Sequence, residues 1–531
     1  MNRRGFQVLG IGWFVGLAWC VGGLAAETGQ TAGNGQSRRD TAWPQKKFVH
    51  PPLKCMEPYL RIDEYPIIAW CFRGNHPSGR FVPGEAYAED AKKLGFNVLI
   101  DVDRMLEPCR MVGGLKLLAA AFRPQPESLH RRYFEGEQAD HPCLLGMIMD
   151  DDCRHVSAEA RQSAAWLKAH HPHIIPLISK YPTPSPQSDS EIRVLMTQIY
   201  PFSHGVGESA VRDYCNECNA ERKFCNSHNM CMWPIFAGGN NFNRIRFQMM
   251  AGLAYGAQGL VNFAYTPTRE TTPQYHPGNP EVAQFKQMHD SISQVIGRHL
   301  WGTRCMKVIH SGKGGEHDGA PHPAAGNVVA NMSDFGLVGL LTPEAGLMVA
   351  ENQGHTAPEY FLWVDKRTGV ATPPAQDSFL MLRPELVRAV EVLAAEAGGA
   401  VRKIVPAYKI RARMAGGDAL LLRVAPDLEK LLGGKPGATL YDEINQGLAA
   451  VQWRIDPPAK APVTSVDSKA VDAQAAAAKA KLADLQKRLQ AAVQAGDIRQ
   501  AQADDTVRNV QAAIAATVAE ASRPPARTVA R

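Results

Sequence analysis

The sequence predicts an α/β protein: a (β/α)8 barrel, then an antiparallel β-sandwich, then a C-terminal helical hairpin. Three observations predict it. Strand-like and helical segments alternate over residues 65–302, the usual span of such a barrel. No phosphate-binding glycine fingerprint follows the first strand, as the usual ligands of an open doubly wound sheet would require. Finally, the apolar run Leu144 to Met149 ends in Asp150, Asp151 and Asp152. Such a run reads as a strand buried on both faces, with carboxylates at the end where barrels place their chemistry. The alternative is a helix start, with the aspartates capping the segment Ala158 to His170.

The elements follow from the N-terminus. Arg3 and Arg4 precede an apolar stretch from Phe6 to Leu24, then Ala25, Ala26 and Glu27. That order of basic, apolar and small residues reads as a signal peptide over 1–26, so the protein is expected to be exported, periplasmic or extracellular. Membrane anchoring is the alternative, because the apolar part is long and Leu17–Cys20 resembles a lipoprotein signal, with bulky Trp19 against it. Residues 27–64 are polar and broken by Pro51, Pro52 and Pro58, as in a linker or N-terminal arm. Barrel strands are expected at Pro66–Phe72, Phe96–Val102, Leu115–Phe122 (with helix as the alternative there), Cys143–Met149, His173–Ser179, Gln198–Phe202, Cys231–Ala237 and Gly259–Tyr265. Helices are expected at Ala86–Leu94, Pro126–Glu137, Ala158–His170, Glu191–Met196, Arg244–Ala257 and Pro280–Leu300.

Residues 303–456 change texture. Met306–His310, Leu337–Leu341, Leu347–Glu351, Tyr360–Val364, Ser378–Leu382 and Ala419–Val424 read as strands separated by Gly, Pro and polar turns. A helix is expected over Pro384–Ala397. Residues 457–531 form a linker, an Ala-rich helical hairpin and a tail. Leu482, Leu485, Leu489 and Val493 keep a 3-4-4 spacing that Val507, Val510, Ile514 and Val518 repeat. That narrow coiled-coil seam predicts packing of the hairpin on itself, or self-association through 465–521; the alternative is a solvated Ala-rich tail with marginal helix.

Composition bounds the function. The chain has 531 residues, 45% hydrophobic and 21% charged, with a net charge of +6 and no long basic stripe. Nucleic acid is therefore a poor partner. The expected barrel-strand ends carry Arg73, Asp101, Asp103, Asp151, Asp152, Tyr200, Glu208, Asn240, Asn241 and Tyr265. Acids and amides that bind hydroxyls, beside aromatic faces that cover a sugar ring, suit a poly- or oligosaccharide. No cofactor is expected.

These residues resemble a family. Leu145 to Cys153 is similar to the fourth-strand motif Leu-Gly-Tyr-x-x-x-Asp-Glu-Pro of barrel proteins related to the clan A glycoside hydrolases, including β-galactosidase-like members. Arg246 to Tyr265 is similar to their later segment Arg-x-Gln…Gly-Ala-x-Gly…Phe-x-Tyr, and Tyr200-Pro201 to the Tyr-Pro after strand six. The resemblance implies Asp152 in the place of the acid/base glutamate and Asp151 in that of the preceding aspartate. It also implies a nucleophilic glutamate at the end of strand seven, yet Phe236 to Asn243 contains no acid and Arg244 stands where relatives have glutamate. Glu208, or else Glu270, is then the candidate second carboxylate. An inverting pair would stand about 6.5–9.5 Å apart and a retaining pair about 5–5.5 Å. Three functions follow: hydrolysis of a glycan with Asp152 as proton donor, a carbohydrate-binding or surface-assembly protein that lacks the strand-seven nucleophile, or a metal-dependent hydrolase using the acid cluster.

Ten cysteines remain after the signal segment, an even number that suits disulfides in an exported protein. Cys215, Cys218, Cys225 and Cys231, with His228 among them, are read as a polar insertion stapled by disulfides, with a structural metal or free thiols as alternatives. No metal is assigned to the catalytic site.

Overall fold

The computed structural model describes residues 48–57, 59, 61–71, 84–101, 103–135, 141–153, 155–180, 191–204, 208–237, 241–265, 281–311, 316–318, 328–344, 358–369, 371–382, 387, 389–396, 399–406, 409–424, 468–494 and 500–521. The expected signal segment and the strand at Leu347–Glu351 lie outside them.

Eight parallel strands close into a barrel in sequence order. They are β1 Ile67–Cys71, β2 Val98–Asp101, β3 Lys116–Ala120, β4 Leu144–Cys153, β5 Ile175–Lys180, β6 Val194–Ile199, β7 Cys231–Ala237 and β8 Leu260–Tyr265. The helices between them include α1 Gly84–Lys93, α2 Leu106–Val112, α3 Pro126–Leu129, α4 Ala158–His170, α5 Pro201–His204, α6 Glu208–Ser227 and α7 Phe242–Ala254. The barrel then closes with α8 Val282–Ser291 and α9 Gly297–Leu300, joined by a π-type turn over Ile292–Ile296. Each expected barrel strand is found. The sixth is displaced: Val194–Ile199 is extended, the helix expected at Glu191–Met196 does not form, and Pro201 opens α5 instead.

Register shows which side chains fill the barrel. Trp70 pairs with Ile100 and Phe263, Ala237 with Phe263, and Gln198 with Ile235. Pro234 and Leu260 point the other way, to within 3.3 Å of the Cβ that Gly252 of α7 would carry. Alternation therefore turns Trp233, Ile235, Gln198, Met196, Ser179, Ile100, Trp70 and Phe263 inward. Tight approach explains Gly146 on β4, where a Cβ would lie 2.6 Å from the Ile175 carbonyl oxygen.

The sandwich consists of a seven-stranded and a three-stranded antiparallel sheet. The first contains β9 Thr303–His310, β10 Glu316–Asp318, β12 Gly336–Pro343, β13 Tyr360–Asp365, β15 Ala389–Glu396, β16 Gly399–Pro406 and β18 Ala419–Val424; the second contains β11 Val329–Met332, β14 Gln376–Leu382 and β17 Ile410–Met414. Val338, Leu340, Phe361 and Trp363 of one meet Leu380, Leu382, Ile410 and Met414 of the other in one apolar core. The helix expected at Pro384–Ala397 is strand β15. Its Ala, Leu and Glu residues favour a helix locally, but pairing with β16 on one side and β18 on the other overrides that preference.

The sandwich docks on α7. Gly339 of β12 lies so close that a Cβ there would sit 2.0 Å from the Ala254 carbonyl oxygen, and Arg246 pairs with Asp418 at 2.6 Å. At the C-terminus, α10 Ser468–Gln494 and α11 Gln500–Ala521 pack on each other, and α11 lies against β16. Of the expected seam, Leu482, Leu485, Leu489, Val510 and Ile514 are buried and Val493 and Val507 partly so. Val518 lies among residues whose side chains are outside the description. No described helix is long and apolar enough to cross a membrane.

Candidate functional site

The carboxyl end of β4 decides the site. Pairing with β5 shifts between Ile148 and Asp150 and again between Asp150 and Cys153, so the strand's alternation breaks across the aspartates. Asp150 pairs beside outward-facing Ile178 and is 1% exposed. It accepts hydrogen bonds from the amides of Asp151 (3.1 Å) and Ser157 (3.3 Å) and from Arg123 Nε (3.2 Å). Ser157 in turn caps α4 by accepting from the Ala160 amide at 3.2 Å. Asp150 is thus a structural group that ties the end of β4 to the residue before α4; Ser157, not an aspartate, caps that helix, so the capping alternative does not hold.

Asp151 and Asp152 are placed differently. Asp151 is half-buried and accepts at Oδ1 from the Asp152 amide at 3.0 Å. Burial pushes its carboxyl above the usual range; Ser179 and the Asp152 amide oppose this, while the charges of Asp152 and Asp150 add to it. Asp152 is exposed and has φ of 51°, a left-handed conformation that few residues other than glycine adopt. Its carboxylate accepts from Gln198 Nε2, which also donates to Ser179 Oγ at 3.1 Å. Ser179 and Gln198 were not among the residues singled out from sequence. Their signal was a polar pair near the carboxyl end of each strand, Ser179-Lys180 in β5 and Thr197-Gln198 in β6.

An aromatic wall stands on the same inner face. Phe263 of β8 meets Trp70 edge-on at 5.7 Å and Tyr200 at 5.5 Å with the rings 33° apart. Trp70 is buried, whereas Tyr200 and Phe263 are partly exposed. Tyr200 is thus partly open to solvent beside Phe263.

Other expected site residues fall elsewhere. Asp101 follows inward-facing Ile100, so the pleat turns it outward, and it lies beside Cys109 of α2, whose thiol is pushed up by burial first and by Cys143 and Asp101 next. Asn241 caps α7, accepting from the Arg244 amide at 3.0 Å and donating to the Gly369 carbonyl at 2.8 Å. Glu208 opens α6, is exposed, and lies near enough to Lys366 beyond β13 to favour its charged form. Asp103 begins the turn after β2 and Tyr265 ends β8, both placed by backbone alone. Arg73, Asn240 and Glu270 lie outside the described residues.

The cysteine reading needs correction. The expected loop-rich insertion is the helix α6, with Cys215, Cys218 and Cys225 along it and Cys231 opening β7. At about 1.5 Å rise per residue, Cys215 and Cys225 are too far apart to share an ion. Among the described residues no three His, Cys, Asp or Glu side chains converge as a metal site, and nine cysteines, Cys215, Cys218, Cys225 and Cys231 among them, are buried free thiols. The α6 face toward β5 and β6 instead holds a buried ion pair: Lys180 Nζ lies 3.4 Å from Glu221, each 2% exposed. The Lys180 ammonium lies 4.7 Å from the centre of the Phe224 ring.

No family model matches the sequence, and no curated protein matches it significantly. Among solved structures, a GH51 arabinofuranosidase from Xanthomonas axonopodis pv. citri is 7% identical with a TM-score of 0.36, over 71% of this chain and 97% of that one. A GH30 endoxylanase from Clostridium papyrosolvens C71 is 9% identical with a TM-score of 0.33, over 71% and 97%. A GH2 beta-galacturonidase from Eisenbergiella tayi is 15% identical with a TM-score of 0.29, over 43% of this chain and 51% of that one. Scores of this size carry no argument about activity. The barrel fold rests on this chain's own strand pairing.

Proposed function

We propose that the barrel mouth binds a poly- or oligosaccharide and that Asp151 gives its proton to the leaving glycosidic oxygen. One observation carries this reading: a carboxyl held half-buried and biased toward its protonated form stands beside a second, exposed carboxylate, on the inner face that also carries Tyr200 and Phe263. A general acid must hold its proton near neutral pH, which burial and like charge favour. Asp151 meets that criterion, and Asp152 is its charged neighbour. Tyr200 and Phe263 would cover the apolar face of a sugar ring. A water molecule would add to the anomeric carbon as the glycosidic bond breaks, giving its proton to a second carboxylate. Glu270, in the segment after β8, is the candidate that the sequence offers, since Glu208 faces Lys366. Assay of the purified protein on a broad panel of glycans tests this. Turnover that falls by about 100-fold or more in Asp151→Asn supports the assignment, the scale expected for loss of a general acid; undiminished turnover in that variant removes it.

A second reading is favoured by one specific observation. Phe236 to Asn243, across the end of β7, contains no acid. A carbohydrate-binding or surface-assembly protein on the same barrel is then the outcome if glycans bind, Tyr200→Ala weakens binding, and nothing is hydrolysed. We further propose export directed by residues 1–26 and a division into barrel 65–302, sandwich 303–456 and hairpin-bearing tail 457–531. N-terminal sequencing of the mature protein tests the first and limited proteolysis the second.

A further inference from the structure

We propose that Phe122 is the platform of a second sugar subsite, on the far side of Asp151 from Tyr200, so that the mouth takes a chain rather than one terminal sugar. The proposal rests on the reading of the mouth as a carbohydrate site. It begins from the pleat of β3. Inward-facing Ile100 pairs with Leu118, and Ala120 pairs with Ile148 one step further on. Leu118 and Ala120 are therefore the inward-facing residues of β3. The alternation continues past the end of the strand. The Ala121 amide donates to the Ile148 carbonyl at 3.2 Å, and the Arg123 amide to that of Met149 at 2.7 Å. Both amides thus point to β4, and Phe122 between them keeps the side of Leu118 and Ala120.

That side opens at the mouth. Ala120 is already partly exposed, and Phe122 is 49% exposed. Among the described residues the only other exposed Phe, Tyr or Trp is Phe335, in the turn before β12. An apolar ring left in water forfeits the gain of burial. Here the backbone holds it open, with its two neighbours bonded to β4. Arg123, at φ 47°, also donates from Nε to Asp150 Oδ1 at 3.2 Å, which fastens the chain just beyond the ring. An aromatic face on an anchored segment loses little freedom when a sugar stacks on it. Around the barrel, β4 with Asp151 stands between β3, which leads to Phe122, and β6, which leads to Tyr200. A sugar covered by Tyr200 and Phe263 and a second covered by Phe122 then lie to either side of the Asp151 carboxyl. Two units so placed belong to one chain, with the bond between them at the acid.

Isothermal titration calorimetry of the full-length protein with gluco-, xylo-, manno- and arabino-oligosaccharides, from monosaccharide to hexasaccharide, tests the proposal without any need for turnover. Affinity of the parent protein should rise with chain length. Phe122→Ala should weaken the longer chains by about tenfold, the scale of one aromatic contact, and leave the shortest sugar that binds as it was. Phe122→Trp keeps an aromatic face and should retain the long-chain affinity; Phe122→Leu, apolar but without a ring, should not. Tyr200→Ala should weaken chains of every length. Long-chain affinity that falls in Tyr200→Ala but not in Phe122→Ala overturns the second subsite and leaves the carbohydrate reading standing. A Phe122→Ala loss equal at every length overturns it as well. A parent protein that binds none of these glycans overturns both.

Discussion

Asp150 lies 1% exposed beneath two backbone amides and Arg123, while Asp151 is half-buried and Asp152 is exposed and bonded by Gln198. Three identical side chains therefore answer to different tests. Replacing Asp150 by Ala leaves the Ser157 amide without its acceptor, and an orphaned buried donor costs about 1–3 kcal/mol. Urea unfolding should show that loss in Asp150→Ala. Asp150→Asn, which keeps one acceptor oxygen, should lose less, and exposed Asp152→Asn less again. Equal stabilities for the Asp150 and Asp152 variants would contradict this division. The acid cluster itself was legible in the sequence, because six residues of apolar strand end abruptly in charge. Its division of labour was not. A strand of regular alternation would put Asp150 and Asp152 on one face, and the register shifts after Ile148 undo that rule. Asp101 shows the converse: alternation holds through β2 and carries a promising acid outward, away from the mouth.

At the scale of elements, α6 and β5 are joined by the Lys180–Glu221 pair, which gives the most distinctive stability prediction. Lys180→Met strands a buried carboxylate and should destabilise the fold by about 3–5 kcal/mol. The double variant Lys180→Met/Glu221→Leu, which removes both charges, should recover most of that loss. A double variant no more stable than the single would show that the side chains matter for shape rather than charge. One helical turn away, burial first and the charges of Asp213 and Glu221 next push the Glu217 carboxyl up to about 7. Its folded value lies above the ordinary 4.5, so its contribution to stability is complete below pH 4.5 and is lost as pH rises through 7. Glu217→Gln should match the parent near pH 4.5 and exceed it above pH 7 in thermal melts. None of this helix was expected from sequence. Its cysteines and polar residues suggested a stapled loop, whereas Ala210, Val211, Tyr214, Cys215, Cys218 and Cys225 form its buried side. The thiols pack there as small apolar groups. In β15 the error came from the opposite direction, since local preference for helix yielded to pairing on both edges.

For the whole molecule, barrel and sandwich are held in register by contact of backbone with backbone. At Gly339 any Cβ would meet the Ala254 carbonyl, so Gly339→Ala must separate β12 from α7 or strain both. Its cost should exceed 1 kcal/mol, roughly the lower range for overpacking a core, and differential scanning calorimetry reads it as a lowered midpoint. The order of barrel, sandwich and hairpin was legible because each has its own period: near-continuous strands between helices, short strands between turns, and a 3-4-4 seam. Long-range pairing was less legible, since β10, β11, β16 and β17 carry weak patterns and owe their place to neighbours distant in sequence. The central claim spans all three scales: a sugar site at the barrel mouth with Asp151 as its acid. Its most direct measurement is the pH-rate profile for glycan hydrolysis by the parent protein and by Asp151→Asn and Asp152→Asn. The account predicts turnover with an alkaline limb that vanishes, along with most of the activity, in Asp151→Asn, while Asp152→Asn keeps that limb at lower pH. Loss of the limb in Asp152→Asn alone, or an unaltered profile in Asp151→Asn, would contradict it.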